Sequence, residues 1–166
     1  MIHFTPAPGH ANLTQLRTQI FLPASQRNVF DFFADVGNLE LLTPPWLRFR
    51  IETALPLEME EGVTIDYRLR LRWVSIRWRT EISLWEPPVR FVDRQARGPY
   101  QVREHTHTFE EQSNGTLVCD TVHFRSRGGR LVEGFFIIPD LRRTLGFRNA
   151  QLWRIFGAHE TLSTAN

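Results

Sequence analysis

The sequence predicts an α+β chain: one antiparallel sheet, strongly curved and wrapped around a long C-terminal helix, with two short helices after the first strand. Three observations carry this. Alternating apolar and polar segments flank Ser113-Asn114-Gly115-Thr116, the pattern of a β-hairpin. Two more long runs alternate with the same period of two, Ile65 to Leu71 and Ile76 to Leu84. After Gly128-Gly129 the period changes, and Leu141, Leu145, Leu152, Ile155 and Phe156 fit the spacing of a helix. Separated strands and helix argue for an α+β layer architecture. A sheet curved around a helix leaves a gap at one end where a ligand can enter.

In chain order, residues 1–12 read as an irregular lead-in. Leu13 to Phe21 alternates as a half-buried strand, with Leu16, Thr18 and Ile20 on one side, and Pro23 ends it. Ser25 suits an N-cap, and Val29, Phe32 and Phe33 have the spacing of a short amphipathic helix. Gly37 and Asn38 break it. Asn38 is placed to cap a second short helix, Leu39 to Leu42, which Thr43-Pro44-Pro45 stops. Trp46 to Thr53 reads as a strand and Glu58 to Gly62 as a turn. The two long runs follow, with Arg68, Arg70, Arg72, Arg77 and Arg79 on their charged side. Glu86-Pro87-Pro88 turns the chain, and Arg90 to Ala96 is the next strand. Gly98-Pro99 then forms a loop placed at the mouth of the gap, where a missing Cβ allows close approach of a ligand.

In the hairpin itself, an Asn114-Gly115 type I′ turn sets the register. Glu111 then faces Val118, Phe109 faces Asp120, His107 faces Val122 and His105 faces Phe124. On the other side Glu104 pairs with Arg125, Thr106 with His123, Thr108 with Thr121 and Glu110 with Cys119. One side is phenylalanine and valine, so it points inward, and His105, His107 and Asp120 go in with it. Polar groups inside a small domain need partners or a cavity.

The 166 residues suit one domain, residues 1–166, long enough to bury roughly 70% of the unfolded surface. The chain carries 13 Phe, 5 Trp and 2 Tyr, enough large rings to fill a core and line a cavity for a flat apolar ligand. Trp73, Trp78, Tyr67 and Phe91 are the rings expected there. All 20 basic residues are arginine, so neither a Schiff base nor a lysine base is available. A net charge of +2 gives no reason to expect a nucleic-acid partner, and the five arginines on the charged side, with Asp66 and Glu81 among them, read as a solvated face. Cys119 is the single cysteine, which excludes an intramolecular disulfide; placed opposite Glu110 it is no candidate nucleophile. No signal peptide and no apolar run of membrane-spanning length is visible, so stable membrane insertion is not expected and a cytoplasmic setting is. Gly128-Gly129 lacks the pattern of a phosphate loop.

The residues also resemble a known family. Leu22-Pro23-Ala24 before Val29-Phe30, Leu42-Thr43-Pro44-Pro45-Trp46, and Gly62 with Ile65-Asp66-Tyr67 carry the likeness. So do Trp85-Glu86-Pro87-Pro88 with Arg90-Phe91, and Gly98-Pro99-Tyr100 with His105-Thr106-His107-Thr108-Phe109. Over roughly residues 13–160 the chain resembles the START/birch-pollen-allergen-like (SRPBCC) superfamily, and within it the polyketide cyclase/dehydrase-like branch. The resemblance implies a helix-grip fold and a deep cavity for an apolar or amphipathic small molecule. It fixes no reaction.

Two functional readings follow. One is a binding module for a lipid, isoprenoid or polyketide-like molecule, without cofactor, as a monomer or weak homodimer. The other is a cofactor-independent cyclase or dehydratase in which Asp120, diagonal to His107, orients it as a base. The residues expected to contact ligand are Tyr67, Leu69, Trp78, Thr80, Phe91, Tyr100, His105, Phe109, Val122, Phe124, Leu145 and Leu152. His-x-His is also a metal-ligand spacing, but no other strong ligand is placed by sequence, and no metal is expected.

Overall fold

A computed structural model describes residues 2–157. Among these residues there is one sheet of eight strands in the order β1-β2-β8-β7-β6-β5-β4-β3, every neighbouring pair antiparallel. The strands are β1 (Ile2–Ala7), β2 (His10–Leu22), β3 (Arg50–Ile51), β4 (Thr64–Leu71), β5 (Val74–Glu86), β6 (Arg90–Arg97), β7 (Tyr100–Gln112) and β8 (Gly115–Ser126). Helices α1 (Gln26–Ala34) and α2 (Leu39–Leu42) follow β2, and α3 (Gly129–Val132), a π-helical turn (Glu133–Ile137) and α4 (Ile138–Phe156) follow β8. This is the helix-grip α+β fold.

The helices hold to one face of the sheet through two apolar clusters. Leu152 and Phe156 of α4 meet Leu22, Val29, Phe30, Phe109 and Val118, while Leu145 meets Leu16, Val122 and Phe124. Leu152 and Phe109 are almost fully buried, and each such side chain contributes about 1.5–3 kcal/mol. Ser25 caps α1, its hydroxyl accepting from the Asn28 N–H. Buried Glu133 ties the π-helical turn to the sheet. Its Oε1 accepts from the Ser126 N–H at 2.8 Å and its Oε2 from the Thr14 hydroxyl at 2.7 Å.

Several local expectations are corrected. Residues 2–7 are not an irregular lead-in but β1, an edge strand paired with β2. The strand expected over Trp46 to Thr53 is a 3₁₀ turn, Pro45–Leu47, followed by the two residues of β3. Prolines at 44 and 45 fix φ and remove ladder donors, which favours the turn. Asn38 does not cap α2; its side-chain amide donates instead to the Phe32 carbonyl. A register shift between Ile82 and Leu84 swaps the faces of β5, so Trp85, not Leu84, packs against Phe30 and Phe91. Trp73 is no core residue: it sits in the β4–β5 turn, 80% exposed. Arg72, in the same turn with φ 55°, lays its guanidinium over Phe136 and leaves the charged face of the sheet. There, Arg79 grips Asp66 through two hydrogen bonds and Arg94 reaches Glu81.

The β7–β8 register is displaced by two residues from the expected one. The last pair is Gln112 with Gly115, so the turn residues are Ser113 and Asn114, neither with positive φ. Gly115 is required for a different reason. A Cβ there would run into the Leu22 carbonyl and the Phe21 ring, so β8 starts where β2 leaves no room for a side chain. Glu104 therefore faces His123, Thr106 faces Thr121 and Glu110 faces Leu117. Cys119 faces Thr108, is buried, and its Sγ accepts from Gln19 Nε2 at 3.2 Å. A shift of two preserves parity, so each side chain keeps its predicted side of the sheet.

Candidate functional site

Four inward positions on three adjacent strands, joined by one from the helix, build a polar wall. Asp93 lies on β6, His105 and His107 on β7 and Asp120 on β8; Arg148 reaches them from α4. Across the ladders Asp93 stands opposite His105, and His107 stands opposite Asp120 rather than diagonal to it. Both histidines are 4% exposed and Asp120 2%, so none of the three can rely on bulk water.

The side chains satisfy one another as a closed box. His105 Nε2 lies 3.1 Å from Asp120 Oδ1, and its Nδ1 lies 3.6 Å from Asp93 Oδ2. His107 Nδ1 lies 2.7 Å from Asp120 Oδ1, and its Nε2 lies 3.1 Å from Asp93 Oδ2. The two imidazoles lie tilted by 34° with centroids 3.8 Å apart, and Phe91 stacks on His107 at 4.3 Å. Arg103, also inward on β7, closes one end: its Nη1 is 3.2 Å from Asp93 Oδ1 and its guanidinium covers the Trp78 ring. Arg148 closes the other end, 3.6 Å from Asp120 Oδ1 and 3.5 Å from His107 Nδ1.

This packing moves the titrations. Burial, with the neighbouring His107 charge, pushes His105 down to about 4, against the pull of Asp120 and Asp93. Burial alone would raise Asp93, but the His107 hydrogen bond and the charges of His105 and Arg103 outweigh it and hold the carboxyl well below the usual range. Asp120 is likewise held low: burial opposes ionisation, and Arg148 with the two histidines overrides it. Burial raises the Tyr67 and Tyr100 phenols, which stay protonated, and the Tyr67 hydroxyl pairs with Thr80 Oγ1 at 3.1 Å.

The box forms one side of a cavity of about 540 Å³ between sheet and helix. Of the residues expected there, Tyr67, Leu69, Trp78, Thr80, Phe91, Tyr100, His105 and His107 line it. Phe109, Val122, Phe124, Leu145 and Leu152 do not: they lie in the two apolar clusters, where α4 is pressed onto the sheet. The helix offers the cavity a neighbouring stripe, Ile137, Leu141, Thr144 and Arg148, and Asp120 sits behind the wall. The Gly98 gap admits no ligand. It makes room for the Gln95 side chain, whose amide bonds both the N–H and the carbonyl of Tyr100 and so fixes the start of β7.

Sequence reasoning missed Asp93, Arg103 and Arg148, although the signal was there. Asp93 shares parity with Phe91, Arg103 with His105, and Arg148 lies three residues from Leu145 and four from Leu152. Charged residues at these positions read as solvated, because a buried charge is uncommon unless it is paired.

Asp93, His105 and His107 each offer a ligand atom, all within 4.8 Å of one another, the composition of a two-histidine, one-carboxylate metal set. The surroundings fit a metal poorly. The two carboxylates already stand beside two guanidiniums, Arg103 and Arg148, so a divalent cation would add uncompensated buried charge.

No protein-family model matches the sequence, and no curated protein matches it. Solved structures do. Protein Ms6760 from Mycobacterium smegmatis superimposes with a TM-score of 0.67 at 14% identity, over 96% of this chain and 99% of that one. The protein Ara h 8.0201 gives 0.63 at 12% identity, over 88% and 99%. Major latex-like protein 151 from Panax ginseng gives 0.61 at 10% identity, over 84% and 96%. At these identities the likeness is one of fold.

Proposed function

With the birch-pollen-allergen-like (SRPBCC-type) fold as premise, we propose that this protein binds an apolar or amphipathic small molecule, of lipid, isoprenoid or polyketide-like kind, between its sheet and α4. The observation that carries the reading is the cavity itself. Its volume, about 540 Å³, lies in the range of ligand sites, roughly 300–1,000 Å³, and its walls are more apolar than polar, with charged groups from the box, from Arg70 and Arg72, and from Asp140 and Arg143. Native mass spectrometry of protein purified from its source tests it. A stoichiometric co-purified small molecule is the expected result. Protein that arrives empty and binds no member of an apolar probe panel would end the reading.

A second reading, the cyclase or dehydratase, draws on the 2.7 Å contact between His107 Nδ1 and Asp120. A base must also present a free nitrogen to its substrate, and His107 Nε2 is engaged by Asp93. Binding therefore takes precedence over catalysis. Incubating polyketide mimics with wild type and Asp120→Asn separates the two. Turnover lost in the variant with binding retained would favour the enzyme; ligands recovered unmodified from both would favour the carrier.

A further inference from the structure

Two guanidinium groups inside the cavity hold more donors than the protein uses. Arg103 arrives from β7 and Arg148 from α4, with side chains only 18% and 15% exposed. A guanidinium carries five N–H donors in a planar fork. Among the described residues, Arg103 gives one nitrogen to one oxygen of Asp93 at 3.2 Å. Arg148 makes only longer contacts, 3.5 and 3.6 Å, both through Nη2, and its Nε is covered and has no partner.

On the surface, Arg79 and Arg90 each engage both oxygens of a carboxylate. Arg79 holds both oxygens of Asp66, at 2.8 and 2.7 Å, in the paired geometry a carboxylate favours. The interior carboxylates do not offer that to Arg103 and Arg148, because one oxygen of each is turned to the histidines: Asp120 Oδ1 meets both rings, and so does Asp93 Oδ2. The under-used forks therefore face a cavity whose walls are more apolar than polar, although Arg70, Arg72, Arg143 and Asp140 also line it, and buried unmet donors are costly. A planar acid group supplies two acceptors in the geometry they lack.

We propose that the cavity selects molecules with an apolar body and one carboxylate or equivalent acidic head, and that Arg103 and Arg148 receive that head. This rests on the ligand-binding reading above and names the chemical class. The competing account is that water alone meets these donors, in which case an acid gains nothing over a neutral analogue.

The test is calorimetric titration of the full chain with matched probes: dodecanoate against dodecanol, and naphthoate against naphthalenemethanol. The acid of each pair is expected to bind at least about tenfold more tightly than the alcohol. Arg103→Met and Arg148→Met, checked for folding by circular dichroism, are expected to bring the ratio towards one and leave alcohol binding in place. Arg103→Lys and Arg148→Lys keep the charge without the fork and are expected to fall between; they replace the methionine variants if those do not fold. Equal affinity of acid and alcohol for wild type would overturn the inference alone, as would a ratio that survives every variant. Binding of no probe at all would overturn the cavity reading and this inference with it.

Discussion

His107 stands directly opposite Asp120 in the β7–β8 ladder, with Nδ1 2.7 Å from Oδ1, and both side chains are buried. The carboxylate also meets His105 and Arg148, so its loss leaves several buried donors unpaired. Asp120→Ala is expected to cost about 3–5 kcal/mol, the range for removing one partner of a buried ion pair. Asp120→Asn, which keeps an acceptor, is expected to cost less. Urea unfolding at neutral pH measures both. Equal, small losses would show that the box contributes little to stability.

His105 gives a pH signature. His105, held down to about 4, binds its proton less readily folded than unfolded, where the ordinary value is 6.5. The unfolded state then takes up more protons between these values, so the stability from neutral His105 is present above about 6.5 and lost as pH falls through 4. The depressed Asp93 and Asp120 continue the loss in stronger acid, below the ordinary carboxylate value. Ring-proton NMR is expected to show His105 unprotonated down to about pH 4. A midpoint near 6.5 would contradict the closed box.

Core and cavity on α4 are separable. Leu152 is fully buried in the apolar cluster, whereas Thr144 faces the cavity. Leu152→Ala is expected to cost about 2–5 kcal/mol and to leave probe binding little changed. Thr144→Trp, whose ring enters the cavity and not the packed core, is expected to cost less stability than Leu152→Ala and to block binding by filling the space. Urea unfolding and titration with a fluorescent apolar probe read the two effects. Uptake unchanged in Thr144→Trp would place the ligand elsewhere.

Gly115 is expected to tolerate no side chain. Its Cβ would meet the Leu22 carbonyl, which is backbone and cannot swing aside. Gly115→Ala should therefore cost about 1–3 kcal/mol, the range for overpacking, while Ser113→Ala in the exposed turn should cost under about 0.5 kcal/mol. Thermal unfolding of the two variants decides. Similar losses would mean that the close approach relaxes.

The charge balance of the box bears on metals. Dialysis against a chelator is expected to leave the melting temperature unchanged, and added zinc is expected not to raise it. Stoichiometric zinc or iron in protein never exposed to chelator or nickel resin, lost in His107→Ala, would reverse that expectation.

What the sequence determined by itself was parity. A period of two places His105, His107, Phe109 and Asp120 on the inner side in any register shifted by an even number of residues, so the polar interior was legible although the turn was misplaced. The same period fixed the long strands, and the change of period after Gly129 fixed the helix. Tertiary structure decided the rest. The hairpin register answers to the Leu22 carbonyl pressing on Gly115, a contact between segments far apart in the chain. Whether an inward side chain lines the cavity or fills the core depends on where α4 touches the sheet, so Trp78 faces open space and Phe124 does not. Asp93, Arg103 and Arg148 read as surface charges one at a time. They become an interior network only when β6, β7 and α4 bring opposite charges within reach of each other, because burial is tolerable only for charges that arrive together.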